Sequence, residues 1–110
     1  MKKIEAVIVP SELDALRTEL ERRGIHAALT LTEAQQAKGH RGSISGEKEP
    51  ARSLKDRLKV ELIVGDRQAQ KVMDVIKEYS QVAAHEACGH VASLRVNEAL
   101  QIVPPLANNL

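Results

Sequence analysis

Two strand–helix–strand patterns, one from Lys2 to Thr32 and one from Lys59 to Arg95, predict an α+β fold of the ferredoxin-like βαββαβ type. Its four-stranded antiparallel sheet would carry two helices on one face. Between the two units lies a largely polar segment of 25 residues, Glu33 to Arg57, in which the hydrophobic periodicity disappears. A connection of that length in a 110-residue chain is usually functional or disordered rather than architectural. The third observation is compositional: hydrophobic residues make up 43% of the chain, yet Tyr79 is its single aromatic, so the core must be built from Val, Leu, Ile and Ala. One such small aliphatic core suits one domain and favours association into a symmetric homo-oligomer.

The first strand is the β-branched run Ile4 to Val9, closed by Pro10, which has no amide hydrogen for the ladder. Ser11 is placed as an N-cap, with Asp14 three residues on. The helix that follows has an apolar stripe at Leu13, Leu16 and Leu20, charged residues Glu19, Glu21, Arg22 and Arg23 on its other faces, and Gly24 as its stop. Ala28 to Thr32 alternates leucine with threonine, the period of a strand buried on one face. Alternation returns at Lys59 to Val64, and Gly65 and Asp66 mark the turn and cap of a second helix whose stripe is Val72, Ile76 and Tyr79. Ser80 to Gly89 is a second connection, Gly89 to Val96 a further strand, and Ala99 to Val103 a short edge strand before Pro104 and Pro105. The domain thus covers residues 1–103, with a tail at 104–110.

The sheet face opposite the helices has no further element to cover it, and copies of the same face are the economical cover. A net charge of +1 and the lack of an aromatic platform argue against nucleic acid as a partner. One cysteine cannot form an internal disulfide, and the apolar run at the start is too short for a secretory signal or a membrane span, so the expected location is the cytoplasm, without membrane insertion.

Two segments carry candidate chemistry. From Lys38 to Lys59 there are seven basic residues, including Arg41, against three acidic ones; Gly39, Gly42 and Gly46 permit close backbone approach, and Ser43 and Ser45 add hydroxyls. That composition suits phosphate or another small anion, and equally a solvated loop; no Walker pattern is present. The run His85-Glu86-Ala87-Cys88-Gly89-His90 offers imidazole, thiolate and carboxylate, at a spacing that matches no common zinc module. It reads as a metal site, as an anion site built on His85 and His90, or as a polar loop with an inert thiol. Cys88 beside a histidine suggests a nucleophile, but the sequence assigns it neither a supporting carboxylate nor an oxyanion hole, so the chain is read as a non-enzyme with no catalytic residues.

The opening MKKIEAVIVPSELDALRTELERRGI, LTEA at residues 31–34, KGH at 38–40, KVELIV at 59–64 and GHVASLRVNEALQI at 89–102 together resemble the PII signal-transduction protein family over nearly the whole chain. The resemblance implies a trimer of ferredoxin-like subunits with effector clefts between neighbours. It also implies a T-loop, matched by Glu33–Arg57, that docks onto a transporter, enzyme or regulator, a B-loop at Ala83–His90 and a C-loop from Gln101. The departures fall on ligand positions. Histidines 85 and 90 stand where the family's B-loop has phosphate-binding lysines, and Gln101-Ile102-Val103 replaces an Arg-Ile-Arg. Ala37 replaces the glutamine used with magnesium and 2-oxoglutarate, and the region of the modified tyrosine is absent.

The chain accordingly resembles a divergent PII-like branch, some of whose members are associated with bicarbonate transport or carboxysomes and bind ADP, AMP-type nucleotides or bicarbonate. The contacts this implies are Lys38, Gly39, His40 and Arg41 in the T-loop and His85, Gly89 and His90 in the B-loop, with adenine held near Thr30, Leu31 and Thr32 and near Ile63 and Val64. The alternative is a trimer similar in fold to the CutA proteins that senses a divalent or copper ion through His85, Cys88 and His90.

Overall fold

The computed structural model describes residues 1–37, 54–80 and 90–102. Strand β1 (Lys2–Ile8) leads through a 3-10 turn at Pro10–Glu12 into helix α1 (Leu13–Arg22). Strands β2 (Thr30–Gln36) and β3 (Lys55–Val64), helix α2 (Asp66–Ser80) and strand β4 (His90–Arg95) follow. The sheet order is β2-β3-β1-β4 and every neighbouring pair is antiparallel. This is the predicted α+β, ferredoxin-like arrangement.

Strict alternation sorts the sheet into two faces. The pairs Ile4 with Leu62, Ala6 with Val60 and Ile8 with Leu58 point toward the helices. They form one core with Leu16 and Leu20 of α1, Ile25, and Ala69, Val72, Val75 and Ile76 of α2, while Tyr79, Leu29 and Val91 pack at its edge. The aliphatic core read from composition is therefore what the fold buries. Gly24 ends α1 at φ +79°, a backbone region costly for any side chain, and the Ile25 amide then donates to the Leu20 carbonyl.

Three local expectations need correction. Ser11 is not the cap of α1: Pro10, whose fixed φ suits a helical first position, starts a 3-10 turn, and Glu12 folds back so that its Oε1 accepts from the Val9 amide at 3.0 Å. The ladder also claims both ends of the polar segment, since Glu33 to Gln36 pair with Leu58 to Lys55. None of Glu33 to Gln36 is buried, so hydrogen bonding to β3, rather than apolar alternation, makes the strand there. Of Ala99 to Val103, expected as an edge strand, the described residues 99–102 form none: β4 ends at Arg95, Leu100 and Ile102 are 83% and 97% exposed with no strand alongside among the described residues, and Val103 lies outside them. The tail at 104–110 lies outside the described residues.

Among the described residues no helix is long and apolar enough to cross a membrane. The sheet face away from the helices carries Lys3, Glu5, Lys59 and Glu61, joined in one ion-pair group, with Ile63 and Leu94 exposed at one end. Lys3 stands between the two carboxylates, and Glu61 followed by Glu5 holds its ammonium pKa above the ordinary value. The same contacts, from Lys3 first and then Lys59, hold the Glu61 carboxyl below its ordinary value.

Candidate functional site

The antiparallel order brings the end of β1, the end of β2, the start of β3 and the start of β4 to one end of the sheet. Residues 38–53 and 81–89 both join the described structure at this end. Their candidate contacts Lys38, Gly39, His40, Arg41, His85, Cys88 and Gly89 lie outside the described residues, as does most of the T-loop and B-loop. What the fold fixes is the ground from which those segments leave.

Four residues form one row across the sheet there: Thr32 opposite Lys59, Lys59 opposite Val7, and Val7 opposite His90. All four project from the open face. Three strand spacings separate Thr32 from His90, roughly 14 Å, so a single phosphate cannot touch both, whereas a nucleotide is long enough to reach between them. His90, the first residue of β4, is exposed. The Lys59 ammonium is engaged at 3.2 Å by Glu61 and at 3.8 Å by Glu5.

The other candidates are distributed differently. Thr30 pairs with Glu61, one step further from the loop end, and Leu31 pairs with Val60, on the helix side of the sheet. Leu31 lines a cavity of about 750 Å³ between α1 and the segment entering β2, with Arg17, Glu21, His26 and Leu29 among its walls. Ile63 sits at the opposite end of the open face in a row with Lys3 and Leu94, 44% exposed. Val64 is in the core, leaving only its backbone available to a ligand. Within one chain, then, Thr32 and His90 share a row, while Ile63 and Val64 stand at the far end. Among the described residues no three His, Cys, Asp or Glu side chains are placed to hold a metal ion.

One residue was passed over as a contact. Arg57 is only 6% exposed and lines a second cavity, of about 430 Å³, together with Pro10, Glu33, Ala34, Gln35, Asp56 and Leu58. Its Nε donates to Gln36 Oε1 at 3.2 Å and its Nη1 to the Asp56 carbonyl at 2.8 Å. These bonds tie the start of β3 to the end of β2. Extending the β3 alternation two residues backward would have placed Arg57 on the same face as Lys59.

A different polar group fastens the two helices. The Glu19 carboxylate, 8% exposed, accepts from Arg22 Nε at 3.0 Å and Nη2 at 2.5 Å, from Arg23 Nε at 2.7 Å, and from the Tyr79 hydroxyl at 3.2 Å. Hydrogen bonds from Arg22, then Arg23, lower its pKa to about 2. Arg23 also reaches Glu78 at 3.3 Å. The sequence placed Glu19 on a solvent face, and only the helix pair reveals it as a shared acceptor.

Comparison with known proteins agrees with this architecture. Residues 1–104 match the family model described as Nitrogen regulatory protein P-II. The Nitrogen regulatory protein P-II of Bradyrhizobium diazoefficiens is 30% identical over 105 residues, covering 93% of this chain and 91% of its own length. The proteins of the same name from Rhizobium meliloti and Pasteurella multocida are 34% and 36% identical over 84 residues, 74% of this chain and 73% of theirs. With the four-stranded antiparallel sheet, its two helices and this match along nearly its whole length, the chain belongs to the P-II family of regulatory signal-transduction proteins.

Proposed function

We propose that this chain works as a homotrimeric, cytoplasmic, non-catalytic regulator that binds an adenine nucleotide, ADP or an AMP-type ligand, at clefts between subunits. Through residues 33–57 it would then control a partner such as a bicarbonate transporter or a carbon-fixation component. The observation that carries this reading is the gathering of Thr32, His90 and the buried Arg57 at the sheet end where residues 38–53 and 81–89 join the fold. Lys38, His40, Arg41, His85 and His90 supply cationic or hydrogen-bonding groups for the phosphates, and Gly39 and Gly89 allow close backbone approach. Backbone groups at Thr30–Thr32 of one subunit and Ile63–Val64 of another hold the base. This division explains why the two sets need not meet within one chain.

Bicarbonate is the small anion that could join the nucleotide at the same clefts. An anion held between neighbouring segments offsets their positive charge and favours one docking-competent conformation, so that occupancy is read by the partner as a population shift. Calorimetric titration with ADP, ATP, AMP, cyclic AMP, bicarbonate and 2-oxoglutarate tests the reading. Saturable binding of at least one adenine nucleotide is expected, and no detectable heat from any nucleotide rejects it. A zinc or copper titration lost on Cys88→Ala with His90→Ala would instead support the metal-sensing alternative.

A further inference from the structure

Beyond β4 the chain carries two aliphatic side chains that nothing among the described residues covers. Val96 is tied beside β1, its amide donating to the Met1 carbonyl at 3.1 Å, while Leu100 and Ile102 further on are 83% and 97% exposed. Spaced two apart with Gln101 between them, they would share one side of an extended segment. At the other edge of the sheet lies a receptacle of matching character, the cavity of about 750 Å³ between α1 and the segment entering β2. Its floor is aliphatic, with Leu20, Ile25, Leu29 and Leu31, and Arg17 and Glu21 stand among its walls. Because β3 and β1 lie between β2 and β4, roughly 14 Å of sheet separates the two edges. The exposure of Leu100 and Ile102 shows that they do not fill the cavity of their own chain.

We infer that Leu100 and Ile102 of one copy seat in the α1–β2 cavity of a second copy, against Leu29 and Leu31. The inference rests on the homotrimer reading and names a contact that holds the trimer together. A contact with its donor at one edge of the sheet and its acceptor at the other is head-to-tail, the kind that closes into a ring, whereas a self-complementary patch makes pairs. Leu31 stands opposite Val60 on the helix side of the sheet, so the seat leaves the Thr30 and Thr32 side chains on the open face uncovered. With the two aliphatic side chains on the floor, Gln101 is turned toward the walls, where its amide suits both Arg17, which donates, and Glu21, which accepts.

The test is light scattering of the full chain and its Leu31→Glu, Leu100→Lys and double variants over a dilution series, with thermal melting of each. Leu31 and Leu100 are 42% and 83% exposed in the single chain, so the subunit fold is expected to survive all three changes. A charge set against the aliphatic floor should raise the concentration at which the assembly falls apart into single chains about a hundredfold in either single variant. In the double variant the new carboxylate and ammonium meet across the contact, and about tenfold of that loss should be recovered. Parent-like association in either single variant, or a double variant no stronger than the weaker single one, overturns the seat while leaving the trimer intact. A parent of single-chain mass at every concentration overturns the trimer reading and the seat together.

Discussion

Glu5 and Glu61 stand directly opposite each other in the β1–β3 ladder, two carboxylates in a position where like charges repel. They coexist because Lys3 lies 3.1 Å from Glu5 and 3.0 Å from Glu61, while Lys59 lies 3.2 Å from Glu61 and 3.8 Å from Glu5. The four side chains are only 23–39% exposed, so the open face carries a neutral, internally paired group rather than isolated charges. Such a group can be covered by another copy with little further desolvation of unpaired charge.

Removing one lysine should therefore cost more than removing one carboxylate. Lys3→Met leaves Glu5 and Glu61 facing each other with Lys59 alone between them, and is expected to lower the melting temperature. Glu61→Gln in the Lys3→Met background should recover part of that loss, and a thermal double-mutant cycle reads the sign.

The helix tie predicts an acid-labile contribution. Glu19 has a pKa lowered to about 2, so the unfolded chain binds its proton more readily than the native one. Its stabilisation is complete above the ordinary carboxylate value of about 4.3, and is lost as pH falls from there toward about 2. Glu19→Gln is expected to be less stable than the parent at pH 7, with the difference shrinking through that window in urea unfolding measured against pH.

Much of this fold was legible because its signals are local. The β-branched run Ile4–Val9 marks the first strand, the alternation in Lys59–Val64 marks the core face of β3, and the stripe at Leu16 and Leu20 marks the buried side of α1. Glu33–Gln36 was not legible as strand, because those residues owe their conformation to pairing with Lys55–Leu58 and carry little apolar periodicity. Ala99–Val103 misled for the opposite reason: its sequence is strand-like, but nothing among the described residues pairs with residues 99–102. For the site, Thr32 and His90 could be named from the sequence, whereas the burial of Arg57 follows from strand extension that no short motif announces.

Core truncation gives the reference scale for stability. Leu16 and Ile76 are each 1% exposed, and Leu16→Ala or Ile76→Ala should cost about 2–5 kcal/mol in urea unfolding. In a small aliphatic core, either loss is a large part of the total.

Gly24 separates backbone strain from steric crowding. A Cβ added there would meet no atom within 4 Å, yet the residue holds φ +79°. Gly24→Ala is expected to destabilise by about 1–2 kcal/mol, and Gly24→Asn by less, because asparagine tolerates this conformation. Chemical denaturation of the two variants makes the comparison.

The most direct check is the mass of the purified protein in solution by multi-angle light scattering. A regulator whose effector clefts are built between subunits must show three times the 12.1 kDa chain mass at micromolar concentration, with and without ADP. A particle of single-chain mass under both conditions would contradict the account, because Thr30–Thr32 and Ile63–Val64 would then never face one another across a shared cleft.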